Sequence, residues 1–391
     1  MKQLDGYSIL IVGKYFQNIH DYFNIILVNS KYKLTLEKYH YNPIPITLKM
    51  IKYFPHLQTQ IIYSIDDLII KGIQNIIYDC KIEYSTYLKI IQENKTNRIK
   101  IKFLRIEYSL YDRDDFGDTI PIQANYLGYY AYGNYSLKSL NIPESIKILS
   151  PRCLCENSLH SLIIPSSIHS LPISCCYLCN FLTSIQLPTT LGSIGAFCFY
   201  GCSSLKTIII PSSVSFIGNS CFEKCLSLKS LIIPDCINTL NERLFQDCTS
   251  LTLVHLPSSL TRIRNNCFFN CISLHELDFH PSNKIIKFSI PLFTKPLFES
   301  TGIKTPFIKF TKYDRLKNGN IIPPFVTSLE KYCFAGLPSL SSICIPSSVT
   351  KIGKGCFSNS DYIETMSIPS SIKVFGTNCF SWRLSTYYSF C

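Results

Sequence analysis

A short, regular repeat period is the feature of this sequence that most restricts its fold. A proline follows a short apolar run at spacings of 22 to 24 residues, then after one gap of 42, and then at two further spacings of 23. These prolines are Pro121, Pro143, Pro165, Pro188, Pro211, Pro234, Pro257, Pro281, Pro323, Pro346 and Pro369. A unit this short cannot bury its own apolar side chains, so the units must stack on one another.

The repeat at 211–233 shows how one unit is built. Leu228, Leu231 and Ile233 recur at short intervals, which predicts a short strand with these side chains turned toward the core. Pro234 then ends the strand, because proline has no backbone N–H to donate to a neighbouring strand. Two serines follow five of these eleven prolines and favour a turn.

The second half of the unit carries cysteine and phenylalanine. Gly218 is predicted to relax the backbone at a bend, and Cys221, Phe222 and Cys225 follow on an arc that returns toward the core. Cysteines recur at the tenth and fourteenth residues after the prolines. Free cysteine packs as a small hydrophobic residue. The sequence therefore predicts a buried structural ladder of Cys198, Cys202, Cys221, Phe222, Cys225, Cys248, Cys267, Phe268 and Cys271.

Zinc binding is the alternative interpretation of these cysteines, because a pair such as Cys198 and Cys202 has a spacing compatible with zinc ligands. Replacements in register, with Leu244 at the tenth position and Ser360 at the fourteenth, favour packing instead. The sequence contains no Gly-rich phosphate loop, no H-E-x-x-H and no G-x-S-x-G. We therefore expect no metal, no cofactor and no catalytic residues, and hence a protein that is not an enzyme.

The repeated pattern I-P-S-S-V-x-x-I-G-x-x-C-F-x-x-C-x-S-L, seen at 210–228 and again in part at 345–357, resembles the BspA-like leucine-rich repeats. The resemblance covers about residues 120–380. It implies an α/β repeat fold, a right-handed leucine-rich-repeat solenoid with a parallel β-sheet on one face and short arcs or 3-10 turns on the other. It also implies a surface or adaptor protein that binds other proteins without catalytic residues.

The chain is predicted to have three parts. Residues 1–50 form a helical N-terminal cap, residues 51–119 form irregular repeats, and residues 120–391 form the regular repeats with a disturbed unit at 282–322. The acidic stretch 111–119 is expected to be a solvated turn.

The segments 9–16 and 21–33 loosely resemble an F-box, a helical motif that recruits a ubiquitin-ligase scaffold. The expected Leu-Pro start is missing and no tryptophan follows. An F-box-like substrate receptor is therefore one alternative function, beside a plain helical cap that covers the first open strand.

Charge and hydropathy limit the kinds of partner. The net charge of +12 is spread thinly, which argues against nucleic acid. The densest basic stretch is expected to be a solvated irregular loop; it contains Lys304, Lys309, Lys312, Arg315 and Lys317. No apolar run is long enough for a membrane span, so no membrane insertion is expected. We expect a monomer that binds a protein ligand.

Cysteine content favours a reducing compartment. The chain has 19 cysteines, an odd number, and no recognisable signal peptide, so a cytoplasmic location is expected. The alternative is the cell surface, reached by a route that needs no signal peptide. In that case the function would be adhesion or ligand recognition.

The outward positions of the strands contain the predicted partner site. Ile209, Ile232 and Leu253 give an apolar stripe across three successive repeats, and acidic residues follow it. Such a patch bordered by polar groups is typical of an interaction surface, although isoleucine also favours strands for reasons unrelated to binding. The predicted function is a non-catalytic protein–protein interaction module that binds its partner on this sheet face. The candidate partner-binding residues are Ile209, Ile232, Leu253, His255, Glu276 and Asp278.

Overall fold

A computed structural model of the protein describes residues 5–279, 289–291, 307–360, 363–380 and 387–390. The chain forms two compact units. The first contains residues 1–131 and 143–150, and the second contains residues 132–142 and 151–391. The three-part division drawn from the sequence remains a prediction.

The first unit begins with helices, as the sequence predicted. Helix α1 spans Gly6–Gly13 and helix α2 spans Ile19–Val28. Asn18 caps α2, because its side chain accepts hydrogen bonds from the backbone N–H groups of His20 and Asp21. Short 3-10 turns follow at Ser30–Tyr32, Leu36–Lys38 and Leu48–Tyr53. Among the described residues, no helix is both long enough and apolar enough to cross a bilayer.

A five-stranded parallel sheet completes the first unit, with its strands in chain order. Helix α3, Tyr84–Glu93, connects the second and third strands, and helix α4, Leu110–Phe116, follows the third. The strands are β1 Thr59–Ile62, β2 Asn75–Glu83, β3 Lys100–Tyr108, β4 Tyr126–Leu127 and β5 Ile148–Leu149.

The acidic stretch 111–119 is not a solvated turn, so that expectation was wrong. Asp112 is buried in helix α4. Its carboxylate accepts a hydrogen bond from the Ser109 N–H at 2.9 Å and caps α4. The same carboxylate accepts hydrogen bonds from the N–H groups of Tyr84 and Ser85, so it also satisfies the start of α3. A carboxylate with this many donors is stable away from water.

The second unit is built from the repeats. The chain confirms the predicted fold, a β-solenoid of about 12 turns. Most strands of the first set end just before the prolines that mark the repeats, here called the anchor prolines. In the described residues this set forms three separate parallel sheets, which together we call the main sheet. Leu228, Leu231 and Ile233 are buried, which confirms the predicted inward positions. The strands of this main sheet are β6 Ser161–Ile163, β8 Ser184–Gln186, β11 Ser230–Ile232, β13 Leu253–Leu256, β15 Glu276–Phe279, β19 Ser342–Cys344, β21 Thr365–Ile368 and β23 Tyr387–Phe390.

A second set of parallel strands lies just after the prolines, and the sequence did not predict it. Most of these strands have only two residues, with the first outward and the second buried. They are β7 Ser170–Leu171, β9 Ser193–Ile194, β10 Phe216–Ile217, β12 Thr239–Leu240, β14 Arg262–Ile263, β16 Ser289–Pro291, β17 Phe307–Phe310, β18 Ser328–Leu329, β20 Lys351–Ile352 and β22 Val374–Phe375.

Part of the disturbed segment 282–322 is regular. Lys309 lies in strand β17, and Lys312 and Arg315 lie in helix α5, Lys312–Asn318, so the expected irregular loop was wrong there. Thr311 and Asp314 form a capping box at the start of α5, which explains why a helix begins at this point. Lys304 lies outside the described residues, as do the remaining residues of 280–288 and 292–306.

Candidate functional site

Phenylalanine rings stack from turn to turn inside the second unit. The ring centroids of Phe199, Phe222, Phe245 and Phe268 are 5.6, 5.8 and 5.4 Å apart, and the rings are nearly parallel. A second run has the same spacing and joins Phe310, Phe334, Phe357 and Phe380. Each ring covers the faces of its neighbours, so the stack is a continuous apolar column.

The predicted structural ladder shares Phe222 and Phe268 with this column and adds seven cysteines, and all nine residues are at least 96% buried. Each thiol at the fourteenth position donates a hydrogen bond to a backbone carbonyl of the preceding turn. Cys225 Sγ is 3.2 Å from the carbonyl oxygen of Phe199, and Cys248 Sγ is 2.9 Å from that of Phe222. Ser360 makes the same bond to Phe334 at 2.6 Å. Serine can therefore replace cysteine at this position, because what the site needs is a small hydrogen-bond donor.

The environment of these thiols keeps them protonated. Burial raises the pKa of Cys198 to about 12 and that of Cys271 to about 12, and it also raises the pKa of Cys225. All cysteines within the described ranges are free thiols. Over the same ranges, no three His, Cys, Asp or Glu side chains come together as a metal site would require. The arrangement suits packing and hydrogen bonding, because a metal ligand or nucleophile needs the thiolate.

Alkylation of the folded protein tests whether the buried thiols are protonated. Iodoacetamide at pH 8 is expected to modify the exposed Cys236 and Cys344 and to leave Cys198 and Cys225 unmodified. A thiol with a pKa near 12 is about one part in ten thousand thiolate at pH 8, and burial blocks the reagent as well. Peptide mass spectrometry before and after denaturation in urea reads out each site. Modification of Cys198 in the folded protein as fast as Cys236 would contradict the expectation.

Each arc contains two residues in the left-handed backbone region, and sequence reasoning missed both. They are the ninth and thirteenth residues after the anchor proline, as in Ser220 and Lys224, with φ of 54° and 61°. The N–H groups of Ser220, Phe222 and Lys224 each donate to a carbonyl of the next turn, so bonding between turns offsets the backbone strain. Asn and Gly occur often at these positions, and this preference could have indicated the left-handed conformation from the sequence. Examples are Asn266, Asn270, Asn359, Asn378, Gly201, Gly336 and Gly355.

Gly218 has a different role from the one predicted. It is not among the residues with positive φ, so it does not relax a bend. A Cβ added at Gly218 would lie 2.3 Å from the backbone nitrogen of Ala196, and one at Gly195 would lie 2.5 Å from the carbonyl carbon of Pro172. These glycines are present because two turns of backbone approach too closely for a side chain.

The candidate partner-binding residues fall in two rows on the main sheet. Ile232 pairs with His255, which pairs with Asp278. Ile209 has the same position in the preceding repeat as Ile232, because each lies two residues before the proline that ends its repeat. We call Ile209, Ile232, His255 and Asp278 the outer row. The predicted stripe is therefore not one line of side chains, because Leu253 lies beside Ser230 in the neighbouring row.

Polar groups border the apolar part of the outer row. His255 Nδ1 and Asp278 Oδ2 are 2.6 Å apart, and both side chains are about one-third exposed. Glu276 pairs with Leu253 through the backbone, and its side chain lies outside the described residues. The structure thus aligns Ile232, His255 and Asp278 on one face, with Leu253 adjacent. Ile209 has the equivalent position in the preceding repeat, where the backbone forms no strand.

The repeats match a known family model. BspA type leucine rich repeat regions match in six copies, over residues 117–191, 169–290 and 309–388. The chain belongs to the BspA type leucine rich repeat family. This family consists of non-enzymatic repeat proteins that generally mediate protein interaction or surface recognition.

Solved structures that match this chain include three bacterial leucine-rich repeat proteins. A leucine-rich repeat protein from Bacteroides ovatus is 18% identical over 86% of this chain and 84% of its own, with a TM-score of 0.42. The T. pallidum leucine rich repeat protein is 24% identical over 48% of this chain and 92% of its own, with a TM-score of 0.39. A leucine rich cell surface protein from Faecalibacterium prausnitzii is 18% identical over 85% and 87%, with a TM-score of 0.35. A comparison with curated proteins finds no match.

Proposed function

We propose that this BspA-type repeat protein is a non-catalytic interaction module that binds a protein partner on the outer face of its main sheet. The observation that carries the proposal is the exposure of Ile209 and Ile232, whose side chains are 84% and 66% accessible to solvent. Ile232 lies on strand β11 and Ile209 at the equivalent position of the preceding repeat, in a segment that forms no strand. Apolar side chains on a stacked repeat backbone lose little conformational entropy when a partner covers them. Their burial then supplies the free energy of binding.

The polar neighbours would give the surface its specificity. His255 and Asp278 form an ion pair or hydrogen bond directly beyond Ile232 in the outer row. A partner that covers the two isoleucines would meet this polar pair at the edge of the contact, where solvent still reaches. Interfaces of this kind have an apolar centre and a polar rim. Leu253 and Glu276 would extend the contact into the neighbouring row.

Charge insertion tests the proposed surface. The double variant Ile209→Arg/Ile232→Arg is expected to weaken partner binding at least about tenfold, because two buried cations without partners oppose association. The control is Ile173→Arg/Ile272→Arg, which places the same charges at exposed isoleucines outside the main sheet. Affinity capture from the native source, quantified by mass spectrometry, compares the two variants with the wild type.

The set of proteins captured by each variant decides whether the proposal is correct. Proteins retained by the wild type and by Ile173→Arg/Ile272→Arg, but lost from Ile209→Arg/Ile232→Arg, would support the proposal. Equal retention by all three proteins would refute it. Circular dichroism spectra and melting temperatures establish that both variants are folded, since all four positions are solvent-exposed.

The compartment in which the module acts remains a prediction. Labelling of intact cells with a membrane-impermeant biotin reagent, compared with lysed cells, separates the cytoplasmic adaptor from the cell-surface adhesion protein. Labelling only after lysis would favour the adaptor. In that case, capture of a ubiquitin-ligase scaffold through residues 1–50 would test the F-box-like role. The monomeric state is a prediction that analytical ultracentrifugation checks.

A further inference from the structure

A basic groove lies on the second set of strands, away from the outer row in the repeat. It has a volume of about 660 Å³. Strands β17, β18, β20 and β22 and the turns that follow them contribute most of its lining, together with two turns from earlier repeats. Six cationic residues line it: Arg243, Lys309, Lys331, Lys351, Lys354 and Lys373.

Among the described residues, the five lysines of the groove are not held in close ion pairs, although the Glu330 carboxylate interacts with Lys309 and Lys331 at longer range. Over the described parts of the chain, none of them has a carboxylate within ion-pair distance. The ammonium group of Lys309 contacts the neutral side-chain oxygen of Asn265 at 3.4 Å instead. Lys331 and Lys354 occupy the same position of successive repeats, so their backbones are about one strand spacing apart, roughly 4.8 Å. Both side chains line the groove, so positive charge is concentrated there.

The other lining residues indicate what kind of anion fits. The described lining has no aromatic ring on which a nucleic-acid base could stack. It includes two carboxylates, Glu242 and Glu330, which interrupt the positive charge. They disfavour a ligand with an anion at every unit, such as RNA or a sulfated glycan, more than a peptide whose Asp and Glu are separated by neutral residues. Asn266 and Thr350 add polar groups of the type that bonds to a peptide backbone. Mixed charge with an excess of lysine matches a protein segment rich in Asp and Glu.

We propose that the basic groove binds an acidic segment of a protein partner. The carboxylates of that segment would lie among Lys331, Lys351, Lys354 and Lys373 and neutralise part of their charge. The groove is a separate surface from the outer row, so either can be correct without the other.

Charge reversal of two equivalent lysines tests the groove. The probe is a fluorescein-labelled synthetic peptide of about 12 residues rich in Asp and Glu, titrated with the full-length protein and followed by fluorescence anisotropy. Lys331→Glu/Lys354→Glu is expected to weaken binding at least about tenfold, since two attractive contacts become repulsive. The matched control is Lys206→Glu/Lys229→Glu. These exposed lysines also occupy one position in two successive repeats, and the change in net charge is the same.

The outcomes distinguish specific binding in the groove from nonspecific electrostatic attraction to a basic protein. A large loss for the groove variant with less than a twofold change for the control supports the proposal. Equal losses in both variants would show a net-charge effect and overturn it, and so would the absence of peptide binding to the wild type. Tighter binding of single-stranded RNA or heparin than of the peptide would also overturn it. If the charge-reversed protein does not fold, Lys331→Gln/Lys354→Gln with Lys206→Gln/Lys229→Gln as its control gives the same comparison.

Discussion

Replacing Phe222 with alanine is expected to lower the free energy of unfolding by about 3–5 kcal/mol. The ring is fully buried and stacks on Phe199 on one side and Phe245 on the other. Its removal loses the transfer free energy of the ring and leaves a cavity in a column that continues through several turns. The neighbouring rings cannot close that cavity, because hydrogen bonds between turns fix the spacing of the backbone.

The control for this prediction is Phe216→Ala in the same repeat. Phe216 lies at the outward position of strand β10 and is 52% exposed, so its loss is expected to cost less than about 1 kcal/mol. Urea unfolding followed by circular dichroism gives the midpoint and slope for each variant. Equal midpoints for Phe222→Ala and Phe216→Ala would show that the stacked column does not stabilise the solenoid.

Replacing Gly195 with alanine is expected to cost about 1–3 kcal/mol of stability, although the substitution adds a single carbon. The new Cβ would lie 2.5 Å from the carbonyl carbon of Pro172 and 2.6 Å from the nitrogen of Ile173. Both are backbone atoms of the preceding turn, so relief of the clash requires the two turns to separate. Such a movement would disturb the pairing of strands β7 and β9.

Gly192→Ala is the matched control, three positions earlier in the same turn. Its Cβ would meet only the carbonyl oxygen of His169 at 3.6 Å, an ordinary contact, and its φ is not in the left-handed region. Alanine there is expected to be neutral or stabilising by up to about 1 kcal/mol, because it restricts the unfolded chain. Thermal unfolding of the two variants side by side checks the difference. Destabilisation by Gly192→Ala as large as that by Gly195→Ala would refute the close-approach argument.

The sequence by itself determined the solenoid and the contents of its core. The constant repeat period fixes which side chains recur at the same place in every turn, so Leu228, Leu231 and Ile233 could be assigned to the interior without coordinates. Ser360 stands where five other repeats have cysteine, fourteen residues after the proline. This exchange already indicated that the position needs no thiolate. The sequence also predicted the helical N-terminal segment.

Only the tertiary structure decided what depends on distances between turns. The strands of the second set are too short to produce a periodic sequence pattern. Gly218 is required because the backbone of the preceding turn approaches it closely, and that contact cannot be inferred from its own repeat. The register that separates Leu253 from Ile232 is set by pairing across turns. The basic groove joins residues from repeats far apart in the chain, such as Arg243 and Lys373. Sequence periodicity determines whether a side chain points inward or outward. Which residues lie next to it depends on the register and spacing of the stacked turns.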